Sequence, residues 1–369
     1  MAFAPVPGME KIEHLVILMM ENRSFDHYLG ALMLDPFYKK QIEGLRNPPY
    51  TNPDADGQPV ASWPIDHTPG WPVDKKYFGY PDLPHGPLPQ ASNYNGGAMD
   101  GFVKSFAKDL VNSGSTPADV ALLSKLAMGY YTRDTLPILY SLADNFTVCD
   151  HWFSSLLSST WPNRKYLHSG LRDADNDTQS LPPFPGFLTT PMWDVLEDKL
   201  DPQGNPYTWK SYFTDLPFLA FWYKFAAFHA FHNFTSVDSF VADCQSDRLP
   251  TVSIIDPAFS LADDHPTHDV QLGQKFIGLI VDALTHSESW AKTALVITST
   301  AQNHESRRKN ANLSDRRGHA LSSSQPLSHT IELGLPNRSR DPIRSYVCLP
   351  LNLSPSAKIC LYRFKTELP

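Results

Sequence analysis

Three stretches of this sequence gather side chains that could do chemistry. Glu21 and Asn22 follow directly on an apolar run, and a carboxylate beside an amide oxygen offers two hard donors suited to Mg²⁺, Ca²⁺ or Mn²⁺. The plainer alternative is a helix start in which Asn22 or Ser24 caps and Glu21 is solvated. Residues 158–164 (SSTWPNR) put three hydroxyls ahead of a proline, with a guanidinium four residues beyond Thr160. Pro162 near a helix N-terminus would place Thr160 among free backbone N–H groups, where an anion such as phosphate fits. A hydroxyl attacks poorly at neutral pH unless a metal or base activates it, so Thr160 would need the cation that Glu21 and Asn22 could hold. Arg164 would then steady phosphoryl oxygens, with Asn163 beside it as a substrate contact. The alternative is that Thr160 only caps its helix.

The third stretch, residues 263–269 (DDHPTHD), concentrates acids and imidazoles in a loop. Asp263 and Asp264 could ligate a metal, and His265 could give a proton to a leaving oxygen. His85, between Pro84 and Gly86, is a further imidazole candidate, although lone loop histidines are commonly ordinary surface residues.

Such groups need a rigid frame. Residues 12–20 form a β-rich apolar run ending at Glu21, so a buried strand would deliver both donors to its C-terminal edge, where open α/β sheets bind ligands. Residues 24–28 open a helix, and 46–98, rich in Pro, Gly, Asn and Asp, suggest a long surface excursion. Helical spacing is expected over 99–109, 120–127 and 136–145, followed by an extended 146–152. Residues 193–244 mix helical pieces with many rings. Residues 251–255 make a short strand, 273–286 an amphipathic helix, and 293–298 (TALVIT) another buried strand whose end should face the same edge.

Five segments together carry a resemblance: EHLVILMMENRSFDHYLG (13–30), NGGAMDGF (95–102), YTRDTLPILYSLADNFTVCD (131–150), STWPNRKYLHSG (159–170) and DDHPTHDVQLGQKFI (263–277). In this order they resemble the phosphoesterase family of phosphatidylcholine-type phospholipases C and acid phosphatases. The resemblance implies an α/β, alkaline-phosphatase-like fold with a central, mostly parallel sheet and helices on both faces. It implies a divalent cation bound partly by Glu21, Asn22 and Thr160, and phosphoryl transfer through a covalent Thr160 phosphoenzyme. His85 and His265 fall in segments that resemble the family's histidine-bearing loops. Phospholipid head groups are the first substrate class implied and simple phosphomonoesters the second.

One departure stands out. Where the family's strand runs into an acidic Asp-Glu-His-Gly-Gly type motif, this sequence continues from TALVIT into STAQNHE. Residues 299–369 hold 11 Lys/Arg against 5 Asp/Glu, whereas 1–298 hold 20 against 34, and only 3 of the chain's 44 aromatic residues lie beyond 298. The chain therefore divides into a phosphoesterase domain over 1–298, incomplete at its C-terminal side, and an atypical basic, Ser/Arg-rich tail over 299–369 expected to be truncated from or disordered beside the family fold. A shifted reading frame or misassigned exon junction near Thr298 would explain all three changes, and sequencing the transcript tests it. The missing acids also open a second reading, a catalytically inactive homologue that binds phosphate ligands.

Bulk properties narrow the classes further. A net charge of −8 gives no reason to expect nucleic acid. The four cysteines show no C-x-x-C spacing, which argues against a structural zinc site and leaves one bridge possible. No run approaches the ~20 apolar residues of a membrane span. The N-terminus shows no export signal as written, although members of the family are often exported. Oligomeric state is not legible.

Overall fold

A computed structural model describes residues 11–67, 81–171, 182, 184, 186–299 and 358–362 of the chain. Seven strands make one sheet: β1 (His14–Met20), β2 (Thr147–Cys149), β3 (Trp209–Phe213), β4 (Phe234–Ser236), β5 (Val252–Asp256), β6 (Thr293–Ser299) and β7 (Lys358–Tyr362). Their spatial order is β2-β7-β6-β1-β5-β3-β4, and every pairing is parallel. The α/β class and parallel sheet expected from the sequence are found.

β1 reads HLVILMM without alternation because both of its faces are covered. Successive side chains of a strand point to opposite faces. Val16, Leu18 and Met20 accordingly join the larger core, with Phe106, Tyr140 and Ile277, while Ile17 joins a second core built from Trp193, Trp209, Phe218 and Trp222. Helices α3 (Phe102–Asn112), α4 (Pro137–Asn145), α7 (Val237–Gln245) and α8 (Val270–Thr285) pack on the first side. On the second lie α5 (Thr160–Ser169), through Trp161 and Leu167, and α6 (Met192–Glu197), through Trp193. α8 buries Val270, Gly273, Ile277, Ile280 and Leu284 along one stripe, and the Asp269 side chain caps it by accepting from Gln271 N–H.

Three strands of the sheet were not foreseen: β3, β4 and β7. β3 and β4 lie inside the ring-rich region, where aromatics mask the two-residue period, and their partners are remote in sequence. The excursion carries an antiparallel pair (Thr51–Pro53 with Pro59–Ala61) and helix α2 (Pro87–Tyr94), begun by a proline at its first turn. β7, from the compositionally distinct tail, lies between β6 and β2. The rest of that tail, with its expected disorder, lies outside the described residues.

Because the sheet is parallel, its C-terminal ends form one edge. Met20 stands beside Ser299, and Leu18 beside Ile255, so Glu21, Asp256 and the end of β6 converge there.

Candidate active site

Glu21 leaves β1 as a buried residue, 3 % exposed, and its backbone N–H donates to Asp263 O at 2.7 Å. Burial pushes its carboxyl up to about 7, against the opposing pull of Arg164. Asn22 follows with φ 47°, a left-handed conformation that asparagine tolerates and that turns the chain sharply off the strand. Its Nδ2 donates to Asp82 Oδ1 at 3.1 Å.

Thr160 is the first residue of α5, with Ser159 at the N-cap and no side-chain cap bond. Simple capping therefore does not account for Thr160. Pro162 falls at the third helical position, whose N–H would lack an intrahelical partner anyway, so the proline costs no bond. The Thr160 hydroxyl is buried and has no hydrogen-bond partner, and the hydroxyls of Ser158 and Ser159 share that condition. Unpaired buried hydroxyls are costly, and three in succession at a helix N-terminus mark a place built for something polar.

Arg164 lies one turn on from Thr160, on the same helix face. It is fully buried. Nε donates to Glu21 Oε1 at 3.0 Å, Nη1 to Asp256 Oδ1 at 2.9 Å, and Nη2 to the Met19 carbonyl. The role read from sequence, steadying phosphoryl oxygens, is thereby corrected: all three nitrogens are engaged beneath the edge, and the guanidinium instead ties α5 to β1 and β5. Asn163 is corrected likewise. Its Oδ1 accepts from Leu156 N–H at 2.9 Å and its Nδ2 donates to Ser159 O at 2.9 Å, so it braces the loop that presents Thr160.

The two acids after β5 separate. Asp263 stays on the Glu21 side, its Oδ1 accepting from His265 N–H at 2.9 Å and paired with His268 Nδ1 at 2.6 Å. Asp264, at φ 76°, turns its carboxylate against α8, where a Cβ on Gly273 would lie 1.7 Å from Oδ1. Only glycine leaves room there. Asp264 lines a cavity with Arg23, Tyr28, Thr298 and Ser299, which removes it from the Glu21 cluster.

His265 and His85 approach one another, their rings 5.6 Å apart and edge-on, with Asp82 between them. Burial holds His265 down to about 3, helped by the nearby His85 and Arg23. An imidazole held neutral does not supply a proton as an acid, so its expected role as proton donor runs against its surroundings.

Beyond α5, His168 is fully buried, accepts at Nδ1 from Trp193 Nε1 at 2.9 Å, and is driven by burial to about 3. Its native pKa lies below the unfolded value of 6.5, so the unfolded chain binds the extra proton first. Stability is full above about pH 6.5 and falls by up to ~1.4 kcal/mol per pH unit between there and about 3. Replacing His168 with Gln should flatten that slope by one proton in urea melts run from pH 7 to 4.5; an unchanged slope would exclude His168 as its source.

Residues 12–299 match the Phosphoesterase family. The chain belongs to that family. Among the relatives of this phosphoesterase are Non-specific phospholipase C3 of Arabidopsis thaliana, 30 % identical over 308 residues, and Phospholipase C B of Mycobacterium tuberculosis (strain ATCC 25618 / H37Rv), 32 % identical over 330 residues. The alignments cover 78 % and 79 % of this chain but 54 % and 59 % of those proteins, so the chain spans between half and three-fifths of their length.

In this phosphoesterase chain the structure brings together Glu21, Asn22, Asp263 and, through Arg164, the α5 start with Thr160; His85 and His265 form a neighbouring group. Sequence reasoning missed Asp82 and the structural part of Asp256. Asp256 had a readable signal, since it ends a strand as Glu21 does. Asp82 had its spacing three residues before His85.

The oxygen donors suit a hard divalent cation: one buried carboxylate, one amide oxygen and an orphaned hydroxyl at a helix N-terminus. The residues that would follow Ser299, beside Glu21 in the register, lie outside the described residues.

Proposed function

We propose that this chain is a phosphoric ester hydrolase of phospholipase C type, with Thr160 as nucleophile. The observation that carries the reading is the orphaned Thr160 hydroxyl at the start of α5, held to the Glu21 edge by Arg164 one turn later. Glu21, Asn22 and Thr160, with Asp263 beside them, would hold a divalent cation, which when bound lowers the hydroxyl pKa and offsets phosphoryl charge. The free N–H groups at the α5 start bind phosphoryl oxygens. Thr160 passes its hydroxyl proton to solvent as Oγ1 attacks phosphorus, the bond to the alcohol oxygen breaks, and the alcohol departs with a proton taken from solvent. Water then attacks the phosphothreonine, restoring the hydroxyl and releasing the phosphate product. Arg164 and Asn163 act by positioning.

The names of the two relatives support a phospholipid as first substrate. Purified chain should release phosphocholine from phosphatidylcholine vesicles, with the rate abolished by chelator and restored by one of Mg²⁺, Ca²⁺ or Mn²⁺. Faster turnover of p-nitrophenyl phosphate than of phosphatidylcholine would replace the diesterase assignment with a monoesterase one. No turnover of either, with retained binding of inorganic phosphate, would favour an inactive phosphate-binding homologue.

A further inference from the structure

Glu197 closes α6, where the last helical carbonyls already concentrate negative charge, and no basic residue lies in that turn. Asp194 stands three residues earlier on the same helix face, so two like charges are neighbours. Such an arrangement is unfavourable without a cation. Facing it is His229, the last residue of the helix Tyr223–His229, and one donor atom from each of the three side chains lies within 4.8 Å of the others.

A plain ion pair does not account for the group. His229 Nδ1 is 3.3 Å from Glu197 Oε1, longer than the about 2.7–2.9 Å of a charge-assisted hydrogen bond, and such a pair leaves the second carboxylate unexplained. The separation matches instead the edge of a tetrahedron whose metal–ligand bonds are about 2.0–2.1 Å, which is roughly 3.3 Å.

Two of the three side chains are held from behind. Trp209 Nε1, on a ring only 2 % exposed, donates to Glu197 Oε1 at 2.9 Å, which fixes the carboxylate and leaves that oxygen a further lone pair. The His229 ring rests against Phe225 and Trp209, at centroid distances of 4.3 and 5.4 Å. Outer partners that orient the ligating side chains in this way are the usual support of a metal site. The group is open to solvent as well, since Asp194 is exposed and the Glu197 and His229 side chains are 37 % and 17 % exposed. One imidazole with two carboxylates suits a borderline cation, whereas Mg²⁺ and Ca²⁺ favour oxygen alone.

We propose that Asp194, Glu197 and His229 bind a divalent cation of the zinc class, which pins α6 to the helix Tyr223–His229. The site lies away from the catalytic edge. His229 packs on Trp209, which opens β3, while Glu21 and Asp256 stand at the C-terminal ends of their strands, and the five residues of β3 put roughly 13 Å between those two edges. Binding here follows from the three side chains and does not require that the chain hydrolyse any ester.

Cobalt(II) titration of the chelator-treated full chain tests the proposal, because four- or five-coordinate cobalt absorbs visible light far more strongly than octahedral cobalt. The unaltered protein should develop that band, and zinc should displace it. D194A and H229F should each weaken cobalt binding by about tenfold or more, since loss even of outer partners commonly costs 10–100-fold. H229F keeps a ring against Phe225 and Trp209; D194A alters an exposed side chain and keeps the test decisive should H229F lose its fold. T160A should leave the band intact, which separates this site from the one invoked for hydrolysis. D194C, which exchanges one ligand for another, should add a thiolate-to-cobalt band in the near-ultraviolet that the unaltered protein lacks, and matched thermal transitions of the metal-free proteins show that each variant is folded. The proposal is overturned if the unaltered protein develops no visible band, if folded D194A binds cobalt as tightly as the unaltered protein, if T160A alone removes the band, or if folded D194C shows no thiolate band.

Discussion

Thr160→Ala is expected to lower phosphate-ester turnover by about a thousandfold or more while leaving stability within ~1 kcal/mol, because a nucleophile has no substitute whereas its hydroxyl contributes no hydrogen bond to the fold. Two opposing effects set the stability side. Removing an unpaired buried hydroxyl relieves a desolvation penalty of about 1–3 kcal/mol, and removing the buried methyl forfeits about 0.8 kcal/mol of burial with some packing besides. They nearly cancel. A capping threonine would behave in the opposite way, costing ~1 kcal/mol of stability with little effect on rate. Thr160→Ser keeps the hydroxyl and should retain measurable turnover. Parallel urea melts and phosphocholine-release assays on the two variants decide the matter: alanine with unchanged rate would remove Thr160 from the chemistry, whatever its stability.

The part of this fold that was legible in the sequence is the part encoded locally. β1 is a nearly continuous apolar run because both sheet faces are covered, β6 carries the apolar centre ALVI, and α8 carries its stripe in 16 consecutive residues with its Asp269 cap directly before them. β3 and β4 were illegible because Trp209, Tyr212, Phe213 and Phe234 sit among aromatics that fill a core between elements remote in sequence. The site divides along the same line. Glu21 and Asn22 were readable from their position at a strand end, and Thr160 from its polar run ahead of a helix. The work of Arg164 was not readable, since its partners Glu21 and Asp256 lie 143 and 92 residues away and only the sheet order makes them neighbours. Asp264 was misplaced for a local reason: its positive φ reverses the chain, so of two adjacent acids that look like a pair in sequence one lines the cavity beside Arg23 while the other pairs with His268. Spacing reveals which donors exist, and backbone conformation decides which of them meet.

The same long-range tie makes Arg164 the residue whose loss should damage the fold most. Arg164→Met keeps much of the side chain's length and its contact with Phe259, whose ring centroid lies 4.8 Å from the guanidinium carbon, but it removes the charge. Glu21 and Asp256 are then left buried together with no cation between them, and burial already raises both carboxyls. Removing one partner of a buried ion pair typically costs about 3–5 kcal/mol, and here two carboxylates lose the same partner, so the upper part of that range is expected. Against a total stability of about 5–15 kcal/mol for an ordinary domain, that is enough to shift the urea midpoint by more than 1 M or to prevent recovery of folded protein. Arg164→Lys should rescue only partly, because one ammonium cannot reach Glu21, Asp256 and the Met19 carbonyl in the fixed directions that a guanidinium does. The triple variant Glu21→Gln, Asp256→Asn, Arg164→Met separates charge from packing: it removes both orphaned charges and should recover more than half of the lost stability. If the single methionine variant melts within 1 kcal/mol of the unaltered protein, the three-way tie does not hold the α5 start to the sheet edge, and the placement of Thr160 beside Glu21 loses its physical basis.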